Sequence, residues 1–143
     1  MKLMEVETAI RDALDQINRA DPGYTIDRRP RGDGTPHIEG EGPFDLIVDD
    51  DGMERSRETV DGHELLFRIV RREMRLIAMS EERRTRQVSA PDWLKKLRRW
   101  WPGALEGLIG TDDYSRATWI DGHIRLMTHL RGDWGARVRR END

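Results

Sequence analysis

The sequence predicts an α+β fold: an N-terminal helix, a small antiparallel sheet of two to four strands, one long central helix and two further C-terminal helices. Two observations carry this. The stretch Asp61 to Glu82, DGHELLFRIVRREMRLIAMSEE, repeats apolar residues at three- and four-residue steps (Leu65, Leu66, Ile69, Val70, Met74, Leu76, Ile77), with Arg and Glu filling most of the remaining surface. Short strand-like runs broken by Gly and Pro precede it, and helical patterns follow it. The long helix is therefore expected to be the piece on which both halves pack. Asp61 can cap it, with Glu64 three residues on, where a capping-box partner belongs.

In chain order, residues 4–19 read as the first helix, with Val6, Ile10, Ala13, Leu14 and Ile17 as its apolar stripe and Asp21-Pro22-Gly23 as its stop. Tyr24 to Arg28 alternates like a strand. Residues 29–43 are rich in Gly and Pro and read as a mobile loop, with room for a short strand at His37-Ile38-Glu39. Phe44 to Val48 is the strongest strand signal. Asp49-Asp50-Asp51-Gly52 supplies a turn with Gly at positive φ, and the polar run Met53 to Thr59 returns as a strand at a sheet edge or with an open face. After the long helix, DWLKKLRRWW reads as a helix bracketed by Pro91 and Pro102-Gly103, with Trp93, Leu97 and Trp100 on its apolar side. A last helix runs to about Arg131. Arg116, Ile120, His123, Met127 and Leu130 share one face of it, with Trp134 folding back and a frayed tail from about 136 to 143. The expectation is one domain, residues 1–143.

Composition narrows the function classes. The chain has no Cys, which excludes disulfides, thiolate catalysis and Cys-ligated zinc. The acid-studded N-terminus lacks the apolar core of a signal peptide and no run reaches membrane-span length, so a cytoplasmic location is expected. Charge is divided unevenly: residues 1–62 carry eight basic and sixteen acidic side chains, net −8, whereas 63–143 carry seventeen and twelve, net +5. Such asymmetry suits an acidic face meeting a basic partner, and also suits plain solvated helix faces.

Motifs for chemistry fail one by one. An EF-hand loop with Gly52 in its sixth place would begin at Ile47, which cannot coordinate calcium. His37, His63, His123 and His129 fall into no metal-ligand spacing. The glycines at 32, 34, 40 and 42 are not followed by a helix, as a phosphate cradle requires, and no serine sits in a nucleophile elbow. No catalytic residue, metal or cofactor is therefore expected. The basic segment 83–101 holds Trp100 and Trp101 among Lys and Arg. It can be read as a nucleic-acid contact, but a solvated helix face explains the same spacing more simply.

Three segments carry a resemblance. They are MERSRETVDGHELLFRIV, the helix exit RLIAMSEERRTR, and DDYSRATWIDGHIRLMTHLRGDW with Asp112, Arg116, Ile120, His123, Leu126, Met127 and Trp134. Residues 44–136 resemble the immunity protein 63 family of bacterial polymorphic-toxin immunity proteins. Ile120 stands where that pattern has an aromatic residue, and His123 where it has Gln. The resemblance implies a non-enzymatic antitoxin that neutralises one cognate toxin domain, as a monomer forming a 1:1 heterodimer, away from membranes and nucleic acid. Contacts are then expected from the acid-bearing loop and turn: His37, Glu39, Glu41, Asp45, Asp49, Asp50, Asp51 and Glu54. The alternative is a nucleic-acid-binding regulator using 83–101.

Overall fold

The computed structural model describes residues 1–89 and 116–143. Among them are four helices and one antiparallel three-stranded sheet: α1 (Leu3–Gln16), β1 (Asp33–Glu39), β2 (Phe44–Asp50), β3 (Met53–Val60), α2 (Gly62–Ser89), α3 (Arg116–Leu130) and α4 (Gly132–Asn142). The class is α+β, as the sequence predicts. The chain divides into two compact units, Met1–Arg72 and Glu73–Asp143, and α2 runs through the division.

In the first unit, α1 buries Val6, Ile10, Ala13 and Leu14, the expected stripe. It ends three residues earlier than expected. Asn18 takes the left-handed conformation (φ 59°), its N–H bonds the Asp15 carbonyl, and the Arg19 N–H bonds the Leu14 carbonyl at 2.9 Å. That pair of bonds is a Schellman stop, which satisfies the last carbonyls before the Pro-Gly pair is reached. The expected strand at 24–28 reduces to one parallel bridge, Asp27 to His37. Side chains of α1 claim its backbone: Arg11 Nε donates to the Tyr24 carbonyl, and the Ile26 N–H donates to Glu7 Oε1, both at 3.0 Å.

Half of the expected loop 29–43 is strand. β1 spans seven residues and tolerates Pro36 because it lies at a sheet edge and carries an irregularity between Asp33 and Pro36. The β2–β3 hairpin is tighter than expected, since its turn is only Asp51-Gly52. Both residues have positive φ, 50° and 73°, as a type I′ turn requires. Phe44, Ile38, Ile47, Leu65, Phe67 and Val70 are fully buried with Val6 and Ile10, and form the core of this unit.

Helix α2 is 28 residues long, seven beyond the expected end at Glu82, because nothing in Arg83 to Ser89 breaks a helix. Asp61 caps it as expected, accepting the Glu64 N–H at 2.8 Å. Leu76, placed by periodicity in the apolar stripe, is 46 % exposed. The buried line runs Val70, Met74, Ala78, Glu82 in steps of four. Four residues advance about 40° beyond a full turn, so the line drifts round the helix and leaves Leu76 outside.

In the second unit, Met74 and Ala78 of α2, Trp119, Ile124 and Met127 of α3, and Trp134 and Val138 of α4 are buried. His123 is buried with them, as its expected face implies, while Ile120 and Leu130 are half-buried. The Arg75 guanidinium lies 5.3 Å over the Trp119 ring, and that of Arg131 lies 4.8 Å over Trp134. The segment expected to fray is helix α4, pinned by Trp134 and the fully buried Val138. Asp133 in its first turn and Arg139 and Arg140 in its last complement the helix dipole. Gly135 is required there, because a Cβ would overlap Thr128 of α3. The expected helix DWLKKLRRWW lies outside the described residues, as does the Arg116 side chain.

Candidate functional site

The sheet segment 33–60 carries nine acidic side chains and two arginines, net −7, more than twice the net charge of the whole chain. Strand register decides how these acids meet. A hairpin counted straight back from Asp50 and Met53 would set Asp45 against Glu58 and Phe44 against Thr59. Instead the register shifts by one after the Asp49–Glu54 pair, making Arg55 the extra residue of a bulge. Beyond it, Thr59 faces Asp45 and Val60 faces Phe44. The bulge therefore pairs Phe44 with Val60 and keeps Glu58 from standing opposite Asp45.

Three like-charge pairs remain: Asp33 opposite Asp50 and Glu39 opposite Asp45 across β1 and β2, and Asp49 opposite Glu54 across β2 and β3. Arg57, one row along from Glu39 and Asp45 on the same face, bridges that pair. Its Nη1 donates to Glu39 Oε2 and Asp45 Oδ2, each at 3.1 Å. Its Nη2 and Nε donate to Glu54 Oε1 at 2.8 and 3.0 Å. These contacts, led by Glu54, push the guanidinium pKa further up, so it is a permanent cation. The Thr59 hydroxyl donates to Asp45 Oδ1 at 2.7 Å. That bond, more than Arg57, holds the Asp45 carboxyl below the usual 3.8. Asp33 is likewise lowered, first by the Thr35 hydroxyl and then by the Thr35 N–H.

One cation thus serves three carboxylates, and all stay wet: side-chain exposure is 54 % for Glu39, 35 % for Asp45 and 47 % for Glu54. The rest of the expected contact set is spread out. Asp49 is half-buried at the hairpin end, where Asp50 and Asp51 are exposed. Glu41 is exposed in the β1–β2 connection, at the other end of β2, about 20 Å away along the strand. His37 is not a surface residue. It is 3 % exposed in β1, and its buried Nδ1 has no hydrogen-bond partner among the described residues. A loop histidine touching a partner is thereby corrected to a packed strand histidine, since Pro36 and Gly34 mark a bulged strand and not a loop.

Arg57, Thr59, Asp33 and Thr35 were not legible as site residues. Strict alternation over ERSRET would set Glu54 and Glu58 on one face and Arg55, Arg57 and Thr59 on the other, and only the bulge at Arg55 decides which acids Arg57 and Thr59 meet. Of the basic segment 83–101, the described side chains are Arg83 and Arg84, both exposed, and Arg84 pairs with Glu81 at 2.9 Å. No helix among the described residues is long and apolar enough to cross a membrane.

The family model of immunity protein 63 matches residues 41–143, and the chain belongs to that family. No curated protein and no solved structure gives a match. The matched range takes in β2, β3 and every described element after them, including Asp45, the Asp49–Asp51 turn, Glu54 and Arg57. It leaves out α1 and β1, and with them His37 and Glu39.

Proposed function

We propose that this chain is a cytoplasmic, non-enzymatic immunity protein that binds one cognate toxin domain as a 1:1 complex and occludes its active site or substrate groove. Membership of the immunity protein 63 family supports the class. The observation that supports the surface is the sheet with net charge −7, on which one arginine holds three exposed carboxylates. Its contact residues are Glu39, Glu41, Asp45, Asp49, Asp50, Asp51 and Glu54, with His37 supporting β1 from within. Toxin domains that act on nucleic acids or nucleotides present cationic clefts. An acidic surface steers such a partner and discriminates against others.

The test is a charge reversal at the hairpin that respects its backbone. Asp51 has positive φ, a conformation Asn tolerates and Lys resists, so the variant is Asp50→Lys with Asp51→Asn. Titration against the cognate toxin domain is expected to show association slowed by about tenfold at low salt and a shallower salt dependence, with the melting temperature unchanged. Wild-type affinity, rate and salt slope together would remove the acidic hairpin from the interface.

A further inference from the structure

The acids leave open how a partner is held, and the sheet edge supplies a second kind of contact. β3 is an outer strand, and its residues Met53 to Thr59 are exposed on both faces. Among the described residues no backbone group of β3 is bonded outside its ladder with β2. The opposite edge is partly closed, because the Ile38 N–H of β1 donates to the Asp27 carbonyl at 2.9 Å. So one edge of a sheet with net charge −7 offers a row of unsatisfied N–H and C=O groups.

We propose that β3 is the edge on which the partner is captured: a strand of the toxin domain bearing Lys or Arg adds to β3 and extends the sheet to four strands. This rests on the proposed immunity function and adds its mode of contact. The backbone ladder supplies affinity and the flanking side chains supply selectivity. The regular run Ser56 to Val60, beyond the bulge, is the part that can pair. A partner residue opposite Thr59 stands two strand spacings, about 10 Å, from Asp45, within reach of a long cationic side chain.

Charge also closes this edge to copies of the same chain. Two-fold antiparallel pairing centred on Ser56 sets Glu54 against Glu58 and Arg55 against Arg57. Centring on Arg55 or Arg57 opposes that arginine to itself. A cationic strand of another protein meets no such penalty at Glu54 and Glu58, and the adjoining acids favour it.

The experiment is residue-resolved amide exchange on the full chain, alone and with the cognate toxin domain. Alone, the outward amides of β3 exchange quickly at every protein concentration. In the complex, alternate amides between Ser56 and Val60 slow by at least about tenfold, as newly bonded groups do. Paired variants sharpen this. Successive edge residues point their N–H alternately to β2 and outward, so of Ser56→Pro and Arg57→Pro one lowers the melting temperature. The other is compared with the alanine variant at the same position, which also lacks the side chain and its ion pairs but keeps the N–H: it melts as that alanine variant does and binds about tenfold or more weaker than it, the loss expected for a broken interfacial hydrogen bond and a clash with the added strand. A complex that leaves β3 amides unprotected, with the proline variant binding as its alanine counterpart does, overturns strand addition and leaves toxin binding standing. Protection that grows with concentration in the chain alone assigns the edge to a second copy and also overturns it. Absence of any complex overturns both this inference and the proposed function.

Discussion

Asp45 shows how much of this surface is decided by single contacts. Two partners favour its ionised form, Thr59 first and Arg57 second, so it titrates lower in the fold than in the unfolded chain. Its contribution to stability is therefore complete above its ordinary 3.8 and drains away as the pH falls below that value. Thr59→Val removes the leading partner while keeping the shape. We expect that variant to be less stable than wild type in urea denaturation at pH 7, with the gap narrowing below pH 3.8. A gap that stays constant down to pH 2 would show that the loss is one of packing and not of the bond to Asp45. At this scale the sequence disclosed the acids, because charge is visible in composition. It did not disclose their partners, because the bulge at Arg55 moves Thr59 opposite Asp45. His37 was misplaced for a related reason: a glycine- and proline-rich run reads as loop unless the irregularity that admits it into an edge strand is known.

At the scale of elements, legibility followed locality. Helix α2 and the β2–β3 hairpin were readable because their signals, a four-residue apolar step and an Asp-Gly turn, lie within the element itself. The end of α1, the loss of a strand at 24–28 and the existence of α4 were not, because each depends on a distant or conformational contact. These are the left-handed Asn18, the Glu7 and Arg11 side chains, and the seating of Gly135 on Thr128. Two variants test the packing. Ile69, 4 % exposed, sits on the buried arc of α2, and Ile69→Asp would bury an unpaired charge. It is expected to abolish cooperative folding, and a soluble variant with a sharp melt would show that this face is misassigned. Gly135→Ala places a methyl group against Thr128 and is expected to cost about 1–3 kcal/mol by overpacking, read as a lower melting temperature. An unchanged melt would mean that α4 shifts to admit it at little cost.

Over the whole molecule, the question is whether the two compact units fold as one. Helix α2 contributes to both cores: Leu65, Leu66, Phe67, Ile69 and Val70 before Arg72, and Met74 and Ala78 after it. A helix that must be intact for either core to close is a direct route for cooperativity, so we expect one transition over residues 1–143. The distribution of tryptophan makes this measurable. All five, Trp93, Trp100, Trp101, Trp119 and Trp134, follow residue 72 in the sequence, and the described ones, Trp119 and Trp134, are buried in the second unit. Ile10 in α1 is fully buried in the first unit, and Ile10→Ala should remove about 2–5 kcal/mol there. If folding is shared, tryptophan fluorescence and far-ultraviolet circular dichroism will report the same lowered midpoint, although no tryptophan lies in the altered unit. The fall should be on the order of 5–15 °C for a chain of this size. Should the fluorescence midpoint hold while circular dichroism shows an earlier loss of structure, the chain is two domains threaded on one helix. The acidic sheet would then be free to unfold without the rest.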